Sequence, residues 1–333
     1  MNPVRLATDA DRDAWNVYID THHDIPPLVC YEWRYVLEKS YRVPTYFFLA
    51  RDSNEAISGV CATYVTKPWG GRPTLHSLRF GLLADGQEVG RALLSHVRQF
   101  CSREGIERHI VTSGYSDMFS DRSAQVKKTV VMELASSEDE MWKGLRNKTR
   151  NMLRKAKNAG LTIECGFENL DAFYRIYARR MLEKKVPIHS IGFFKHVAKE
   201  LDGCTQLLVA THNGVPVGGM LLLMGTHTAL YPYQSSTSEG ERYGANQLLV
   251  WEAMRFCLAR DITTLDMGES KEGGSVYQSK INFGGISKDL YYYTFQDGHS
   301  SKFSELPGFI FAHVPVRIRG TIGPWIKKQS RIV

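Results

Sequence analysis

The sequence predicts an α/β (α+β) fold built as two tandem domains, each with a mixed central sheet flanked by helices. Three observations predict it. The chain has 333 residues, which exceeds the usual size of one domain. Apolar residues make up 43% of the chain and charged residues 23%, as in ordinary globular proteins. Finally, the order of predicted strands and helices in the first half recurs in the second half.

A helix with one apolar face is predicted in each half, because apolar residues recur there at helical spacing. The first set is Val89, Ala92, Leu93, Val97, Phe100 and Cys101. The second set is Ala245, Leu248, Leu249, Ala253, Phe256 and Cys257. The two sets match position for position, including the Phe-Cys pair. Any two α/β segments share some of this patterning, but the paired Phe-Cys favours duplication of one unit.

Three predicted strands precede each of these helices, and the first two of them match between the halves. In the first half, one strand ends at Ala50 and the next is entered through Gly59; Ala210 and Gly219 are their counterparts in the second half. Each half therefore predicts the order strand, turn, strand, strand, helix, strand. We predict an N-terminal domain over residues 1–135, a C-terminal domain over 136–300 and a basic, apolar tail over 301–333.

The net charge of +7 is concentrated in two segments. Residues 143–157 contain seven bases and no acid, and residues 317–331 contain five bases and no acid. Such clusters are typical of anion-binding surfaces. The first cluster lies on a predicted amphipathic helix over 142–160, from which Lys148, Arg150 and Arg154 are the candidate contacts to phosphate groups. A merely solvated helix face is the alternative interpretation.

The first repeated helix begins with Gln87, Gly90 and Ala92 in the pattern Q-x-x-G-x-A. This spacing resembles the pyrophosphate loop of the GNAT acyltransferases, in which free N–H groups at a helix start bind coenzyme A. A helix start that only tolerates a glycine is the alternative. The equivalent segment of the second half, residues 241–246, departs further from the pattern.

Four segments of the second half, in order, resemble the FemAB-type acyltransferases: LRNKTRNMLRKAKNAGL, FYRIYARRM, YPYQSS and LDMGESKEGGSVYQSKINFGG. The tail segment PVRIRGTIGPWIKK is similar to the endings of the FemAB-related subgroup associated with exosortase and exopolysaccharide systems. The resemblance implies two tandem GNAT-like (acyl-CoA N-acyltransferase) domains. It also implies transfer of an amino acid from aminoacyl-tRNA to an amine of a peptidoglycan precursor. No sustained heptad run predicts the coiled-coil arm that some members carry.

The resemblance implies a lysine near the donor ester, and Lys280 stands at that position, followed by Phe283 and Gly284. Ser279 replaces the aromatic residue that precedes the lysine in the family. A lysine ammonium there would stabilise the oxyanion of a tetrahedral intermediate; a surface lysine in a loop is the alternative. Asp266 would orient Lys280 or accept a proton from the attacking amine, and a purely structural carboxylate is the alternative.

An acceptor cleft is predicted beside the strand that carries Tyr231, Tyr233 and Ser235, which alternate on one face; ordinary packing is the alternative. No metal site is expected, because His22, His23 and Asp24 lie in a proline-rich loop without a partner cluster.

The sequence therefore predicts an amide-forming acyltransferase that acts on an anionic, amine-bearing precursor of the cell envelope or of an exopolysaccharide. The expected donor is aminoacyl-tRNA, and no cofactor is expected to bind tightly. The alternatives are an acyl-CoA-dependent N-acetyltransferase, which uses acetyl-CoA, and an inactive module that only binds an anionic precursor. We expect a cytoplasmic protein, because no apolar run reaches the roughly 18 residues of a membrane span. Peripheral contact of the tail with the inner face of the membrane is a further hypothesis.

Overall fold

The computed structural model describes residues 4–67, 71–115, 117–119, 124–296, 316–328 and 332. The chain forms two compact units. Unit 1 comprises residues 1–127, 185–196 and 289–333, and unit 2 comprises residues 128–184 and 197–288. The domain limits predicted after residues 135 and 300 divide the sequence differently, and they stay a prediction.

The elements of the first half follow the predicted order. They are β1 (Val4–Leu6), α1 (Arg12–Asp20), α2 (Trp33–Tyr41), β2 (Thr45–Arg51), β3 (Ile57–Thr66), β4 (Thr74–Ala84), α3 (Gln87–Arg103), β5 (Arg108–Gly114) and β6 (Gln125–Glu133).

The second half contains two additional helices before the repeated order begins. Its elements are α4 (Glu138–Gly144), α5 (Asn147–Asn158), β7 (Leu161–Cys165), α6 (Leu170–Glu183), α7 (Ile191–Glu200), β8 (Thr205–His212), β9 (Val215–Met224), β10 (Thr228–Ser236), α8 (Ser238–Tyr243), α9 (Ala245–Leu258), β11 (Thr264–Glu269), α10 (Ser275–Asn282), β12 (Ile286–Gln296) and α11 (Val316–Lys328).

The sheet of unit 1 has the strand order β1-β2-β3-β4-β5-β12. All neighbours are antiparallel except β4 and β5, which are parallel. The parallel pairing runs from Thr74 opposite Arg108 to His76 opposite Ile110. Helix α3 provides the connection between these two strands, as a parallel pair requires.

The sheet of unit 2 has the same design, with the strand order β6-β11-β10-β9-β8-β7. Here β10 and β11 are the parallel pair, connected by α8 and α9. The repeat inferred from the sequence is thus confirmed for the order strand, strand, strand, helix, strand. The last strand of each sheet comes from the other half of the sequence, because β6 pairs with β11 and β12 pairs with β5.

The repeated helices carry the core side chains that their spacing predicts. In unit 1, Leu93 and Val97 of α3 are fully buried in a cluster with Phe48 of β2 and Val111 of β5. In unit 2, the buried cluster contains the α9 residues, including Leu248 and Leu249, together with strand residues. The apolar stripe therefore fixes which face of each helix contacts its sheet.

The basic helix predicted over residues 142–160 is in fact two helices, so that prediction is wrong in its detail. Helix α4 ends at Gly144 and α5 begins at Asn147. Between them, Leu145 and Arg146 have extended backbone, with ψ of 142° and 150°. Leu145 is buried in the core of unit 2. The extended backbone at this residue separates the two helices. The bases lie mostly on α5.

The tail forms helix α11, which is docked in part against unit 1. Ile326 and Arg319 are buried, whereas Trp325 is 52% exposed. A Cβ at Gly323 would lie 2.8 Å from Ile188 Cγ1, so the helix backbone approaches that side chain closely. Residues 309–314, which the membrane hypothesis includes, lie outside the described residues. Within the described ranges, no helix is long and apolar enough to cross a membrane.

Candidate active site

The parallel strands of unit 2 pair over only a short stretch. Thr228 to Leu230 of β10 pair with Thr264 to Asp266 of β11. Immediately after this stretch, the register of β10 against β9 shifts between Leu230 and Tyr233. The register of β11 against β6 shifts after Asp266. Such irregularities redirect side chains and are common beside active sites.

Lys280 lies close to the end of this short parallel pair. It belongs to α10 and is only 7% exposed. Its Nζ donates hydrogen bonds to the carbonyl oxygen of Gly268 at 2.8 Å and to Ser270 Oγ at 2.7 Å. A buried ammonium requires acceptors of this kind, because removing its hydration is costly. The alternative that Lys280 is a surface loop lysine is therefore excluded.

Asp266 is fully buried on β11 and contacts the same glycine. Its Oδ1 accepts hydrogen bonds from the N–H of Gly268 at 2.6 Å and from Thr129 Oγ1 at 2.7 Å. Gly268 has φ of 85°, in the left-handed region that favours glycine. Asp266 and Lys280 thus meet at opposite sides of one residue, since the N–H of Gly268 binds the first and its carbonyl binds the second.

The tyrosines and the serine of β10 are distributed differently from the prediction. Tyr231 is buried in the same cluster as the core residues of α9, and burial together with the nearby Asp266 charge raises the pKa of its hydroxyl. The ring of Tyr233 instead contacts Tyr177 of α6, with centroids 5.9 Å apart. The register shift after Leu230 interrupts the alternation that was predicted to place all three on one face.

Ser235 is the most unusual of these residues, because it is 4% exposed and its Oγ has no hydrogen-bond partner within the described part of the chain. It lies opposite Gly219 of β9. A buried hydroxyl without a partner is energetically unfavourable, so such a group requires an explanation. Binding of a polar substrate group is one explanation consistent with its predicted role.

The basic helix α5 contacts the helix that carries Lys280. Thr149 Oγ1 donates to the carbonyl of Asn282 at 2.9 Å, and Arg146 Nη1 donates to Asn282 Oδ1 at 3.3 Å. Asn282 is the last residue of α10 and lies two positions after Lys280. The start of the basic helix α5 therefore contacts the end of α10 close to Lys280.

The three predicted phosphate contacts on α5 have different surroundings. Lys148 is exposed. Arg150 Nη1 donates to the carbonyls of Trp142 and Lys143, at 3.4 and 3.2 Å, which ties this side chain to α4. The Arg154 guanidinium lies 5.7 Å from the ring centroid of Trp142, a cation–π geometry. The Arg150 guanidinium is therefore held by backbone carbonyls of α4, whereas the Lys148 side chain is exposed to solvent.

An open surface cavity of about 500 Å³ lies along α5. Its lining contains two bases, two amides and one aromatic ring, and no acid: Asn151, Arg154, Lys155, Asn158, Ala159 and Tyr243. A surface of this composition favours an anion.

Phe283 and Gly284 follow Lys280 at the end of α10. Phe283 is 3% exposed and belongs to the core of unit 2. Its side chain therefore contributes to the core of unit 2, and its part in substrate binding stays a prediction. Gly284 is exposed and has φ of 101°, which explains the glycine in terms of backbone conformation.

The start of helix α9 is covered within unit 2. Gly244 precedes this helix with φ of 90°. A Cβ at Gly244 would lie 2.9 Å from the carbonyl oxygen of Met152 and 3.6 Å from Cβ of Ala156, both on α5. The equivalent helix start of the first half is the one for which a pyrophosphate site was predicted. In the second half, α5 packs closely against the residue that precedes the helix.

The corresponding helix start of unit 1 is also poorly suited to a phosphate. Helix α3 begins at Gln87, so the N–H of Gly90 already donates to the carbonyl of Gly86 at 3.1 Å. A Cβ at Gly90 would collide with Met118 Sδ. Asp85 and Glu88 add negative charge at this helix end, which opposes anion binding. The N–H of Gly90 is therefore not one of the free N–H groups of this helix start, and the coenzyme site at Gln87, Gly90 and Ala92 stays a prediction; Gln87 is exposed, and Ala92 lies on the helix.

The end of the parallel pair in unit 1 is filled by the protein itself. Ser77 Oγ accepts from the N–H of Thr112 at 2.8 Å, which joins β4 to β5. Phe80, fully buried with φ of 61°, packs so closely on Gly114 that a Cβ there would lie 2.6 Å from Phe80 Cδ1. This geometry leaves unit 2 as the better candidate for the active site.

Several site residues carry no signal in the sequence. Thr129, Ser270 and Met152 stand in ordinary contexts, and their roles depend on contacts between segments that are distant along the chain. In the sequence, the glycine of the DMGES segment, Gly268, is the one signal of an unusual backbone conformation beside Asp266. Among the residues that the structure describes, no group of three or more His, Cys, Asp or Glu side chains could hold a metal ion.

Comparison with known proteins places this geometry in context. Residues 143–279 match the family model described as an acetyltransferase (GNAT) domain. This range contains α5, β10, β11 and most of α10, including residues up to Ser279. No curated protein sequence matches the chain.

Solved structures share the fold at low sequence identity. A crystal structure of FemX is 13% identical, covers 87% of this chain and 96% of its own, and has a TM-score of 0.68. A tandem GNAT protein from the clavulanic acid biosynthesis pathway is 13% identical, with coverages of 90% and 100% and a TM-score of 0.59.

A third structure is the C-terminal domain of a protein assigned as a lysylphosphatidylglycerol synthetase from Agrobacterium fabrum. It is 11% identical, covers 87% of this chain and 93% of its own, and has a TM-score of 0.56. The predicted mixed α/β fold of GNAT type is thus confirmed. The protein is an acyltransferase, and its residues 143–279 match the model of an acetyltransferase (GNAT) domain.

Proposed function

We propose that the protein transfers an aminoacyl group from aminoacyl-tRNA to the amine of an anionic cell-envelope or exopolysaccharide precursor. The observation that carries the proposal is the buried ammonium of Lys280, held by Gly268 and Ser270 beside the end of the β10–β11 pair. The fold likeness to FemX and to a lysylphosphatidylglycerol synthetase domain supports aminoacyl transfer.

The chemistry follows from the charge that develops during transfer. A neutral amine of the acceptor attacks the ester carbonyl of the donor, and a C–N bond forms while the carbonyl oxygen becomes an oxyanion. The ammonium of Lys280 stabilises that oxyanion, a contribution typically of about 3 kcal/mol. The ester C–O bond then breaks, and the departing ribose oxygen takes up the proton that the amine loses.

The choice of donor rests on the helix starts and on α5. At the start of α9, Gly244 packs closely against α5, and the start of α3 carries two acids and a bonded Gly90 N–H. An open, uncharged helix start is the kind that favours the pyrophosphate of coenzyme A. The exposed bases of α5 and the acid-free cavity beside Tyr243 favour a polyanion instead.

An acyl-CoA-dependent N-acyltransferase is the second candidate, favoured by the description of the matching family model as an acetyltransferase domain. The third is a module that binds an anionic precursor without turnover. That module would retain its full cellular function in the Lys280→Ala variant, whereas loss of turnover with unchanged binding would contradict it.

The donor is tested by measuring equilibrium binding of aminoacyl-tRNA and of acetyl-CoA to the purified protein at several salt concentrations. We expect tRNA binding whose affinity falls steeply with salt, because phosphate contacts release counterions. The double variant Arg154→Glu, Lys155→Glu reverses charge at the cavity and should weaken binding by about 10-fold or more. Saturable binding of acetyl-CoA, with no salt-dependent binding of tRNA, would favour the second candidate.

The matched control is the double variant Lys195→Glu, Lys199→Glu, which reverses two exposed lysines of α7 and changes the net charge equally. If it weakens tRNA binding as much as the α5 variant does, binding depends on overall charge and the α5 site is wrong.

Membership of the exosortase-associated subgroup and membrane contact by the tail are also part of the proposal. On α11, the exposed Trp325 precedes Lys327 and Lys328, a combination that suits anionic lipid surfaces. Flotation with anionic liposomes tests it. We expect the Trp325→Ser variant to float less than the unaltered protein, and equal flotation would contradict membrane contact through this residue.

A further inference from the structure

We infer that Thr129 and Ser270 are positioning residues for the ammonium of Lys280. They form two hydrogen-bonded routes from the strands of unit 2 to this one charged group. The inference deepens the proposed function, on which it rests for any effect on turnover. Its geometric part concerns only where the ammonium is held.

The first route is direct. Ser270 Oγ lies 2.7 Å from Lys280 Nζ and accepts a hydrogen bond from it. The backbone of Ser270 is fixed in turn, because its N–H donates to the carbonyl of Lys128 on β6 at 3.0 Å. Ser270 is therefore an acceptor whose position depends on β6 rather than on α10.

The second route passes through Asp266 and Gly268. Thr129 Oγ1 donates to Asp266 Oδ1 at 2.7 Å, and the N–H of Gly268 donates to the same oxygen at 2.6 Å. The carbonyl of Gly268 then accepts from Lys280 Nζ at 2.8 Å. Asp266 thus orients the backbone of Gly268, whose carbonyl holds the lysine. Both Asp266 and Thr129 are fully buried.

Both routes begin on β6, at Lys128 and Thr129, and end at one Nζ. A lysine side chain has four rotatable bonds and loses rotamer entropy when it is held in one place. Two fixed acceptors are an effective way to hold it, and a small misplacement of the charge weakens oxyanion stabilisation. Ser270 and Thr129 are therefore expected to act through Lys280 rather than on substrate.

The test compares Ser270→Ala, Thr129→Val and Thr129→Ser with the unaltered full-length protein. Valine matches threonine in shape without its hydroxyl, and serine keeps the hydroxyl. The readout is the titration midpoint of Lys280, followed by the ¹³Cε resonance that disappears in the Lys280→Met variant. Asp266 and Tyr231 are the other titratable groups that share this environment.

We expect the Lys280 midpoint to fall by about one pH unit in Ser270→Ala, because an acceptor of the charged form is lost. Thr129→Val should shift it in the same direction, and Thr129→Ser should leave it unchanged. Thermal unfolding of each variant accompanies the titration. Ser270 is only half-buried in a loop, so Ser270→Ala gives the result even if Thr129→Val fails to fold.

An unchanged midpoint in Ser270→Ala would overturn the inference. Equal shifts in Thr129→Val and Thr129→Ser would overturn the part assigned to the Thr129 hydroxyl. The proposed function fails separately, if Lys280→Met transfers the acyl group as fast as the unaltered protein while the midpoints shift as expected.

Discussion

Lys280 and Asp266 are charged side chains in an interior that disfavours charge. Each is retained because polar groups surround it: two acceptors for the ammonium, and a hydroxyl and an amide for the carboxylate. Burial without such partners would cost several kcal/mol for each ion. Buried ions of this kind add little to stability, and a fixed positive charge is the feature that acyl transfer uses.

The ordinary stabilising case is Asp11 in unit 1, and it gives a prediction about pH. Its carboxylate accepts from Arg5 at 2.6 and 2.8 Å, from Arg51 at 3.0 Å and from the N–H of Thr8 at 2.9 Å. The hydrogen bonds from Arg5, above all, hold the pKa of this carboxyl well below its ordinary value. Asp11→Asn should lower the free energy of unfolding at pH 7 by about 1–3 kcal/mol.

The sign of the pH dependence follows from the lowered pKa. The stabilisation is fully present above the unfolded-state pKa of about 4 and is lost as pH falls from there toward the folded-state value. Urea unfolding at several pH values should therefore show the difference between the two proteins narrowing below about pH 4. Asp13→Asn, at a 98% exposed side chain, is the control. A difference independent of pH would contradict the ion pair as its cause.

At the scale of elements, α5 packs closely on the residue that precedes α9. Gly244 permits the contact, because its backbone is left-handed and it lacks the Cβ that would meet Met152 O at 2.9 Å. The basic helix thus lies directly against the residue that precedes α9.

Gly244→Ala should destabilise the protein by about 2–4 kcal/mol, the sum of a left-handed L-residue and of overpacking. The control is Gly160→Ala at the end of α5, where φ is 74° and no atom lies within 4 Å of the added Cβ. It should cost only the conformational part, about 1 kcal/mol. Equal losses in chemical denaturation would show that α5 does not press on the start of α9.

Sequence periodicity predicted α3 and α9 and their buried faces, because 3.6-residue spacing is a local property. It did not predict the break at Leu145, which depends on the core that this side chain enters. It also did not give the exact start of α3, which is Gln87, because the first residue of a helix depends on capping contacts. The register shift in β10, which separates Tyr231 from Tyr233, is set by pairing with β9 and is invisible in the alternation of residues.

For the whole molecule, the repeat in the sequence could not show which strand completes the sheet of each unit. Both halves contain a strand after the parallel pair, but β6 pairs in unit 2 and β12 pairs in unit 1. The local pattern of apolar residues predicts that a strand exists, but it does not predict the strand with which it pairs. Lys280 was predicted from a resemblance and Asp266 from its place on a predicted strand, whereas Thr129 enters the site only because β6 pairs with β11.

This membership predicts that neither half folds alone. A fragment of residues 1–135 lacks β12, and a fragment of residues 136–333 lacks β6, so each would expose a sheet edge and part of its core. We expect poorly dispersed amide NMR spectra for each fragment and a native-like spectrum when the two are co-expressed. A dispersed spectrum and cooperative unfolding of the 1–135 fragment by itself would contradict the strand assignment.

The most direct test of the central claim is a single-turnover assay with radiolabelled aminoacyl-tRNA and amine-bearing envelope precursors. It compares the unaltered protein with Lys280→Met, which keeps the length of the side chain and removes its charge. We expect label to pass to the precursor with the unaltered protein, and the rate to fall by about 100-fold or more in the variant. Transfer by Lys280→Met at the unaltered rate would contradict the assignment of Lys280 as the catalytic residue.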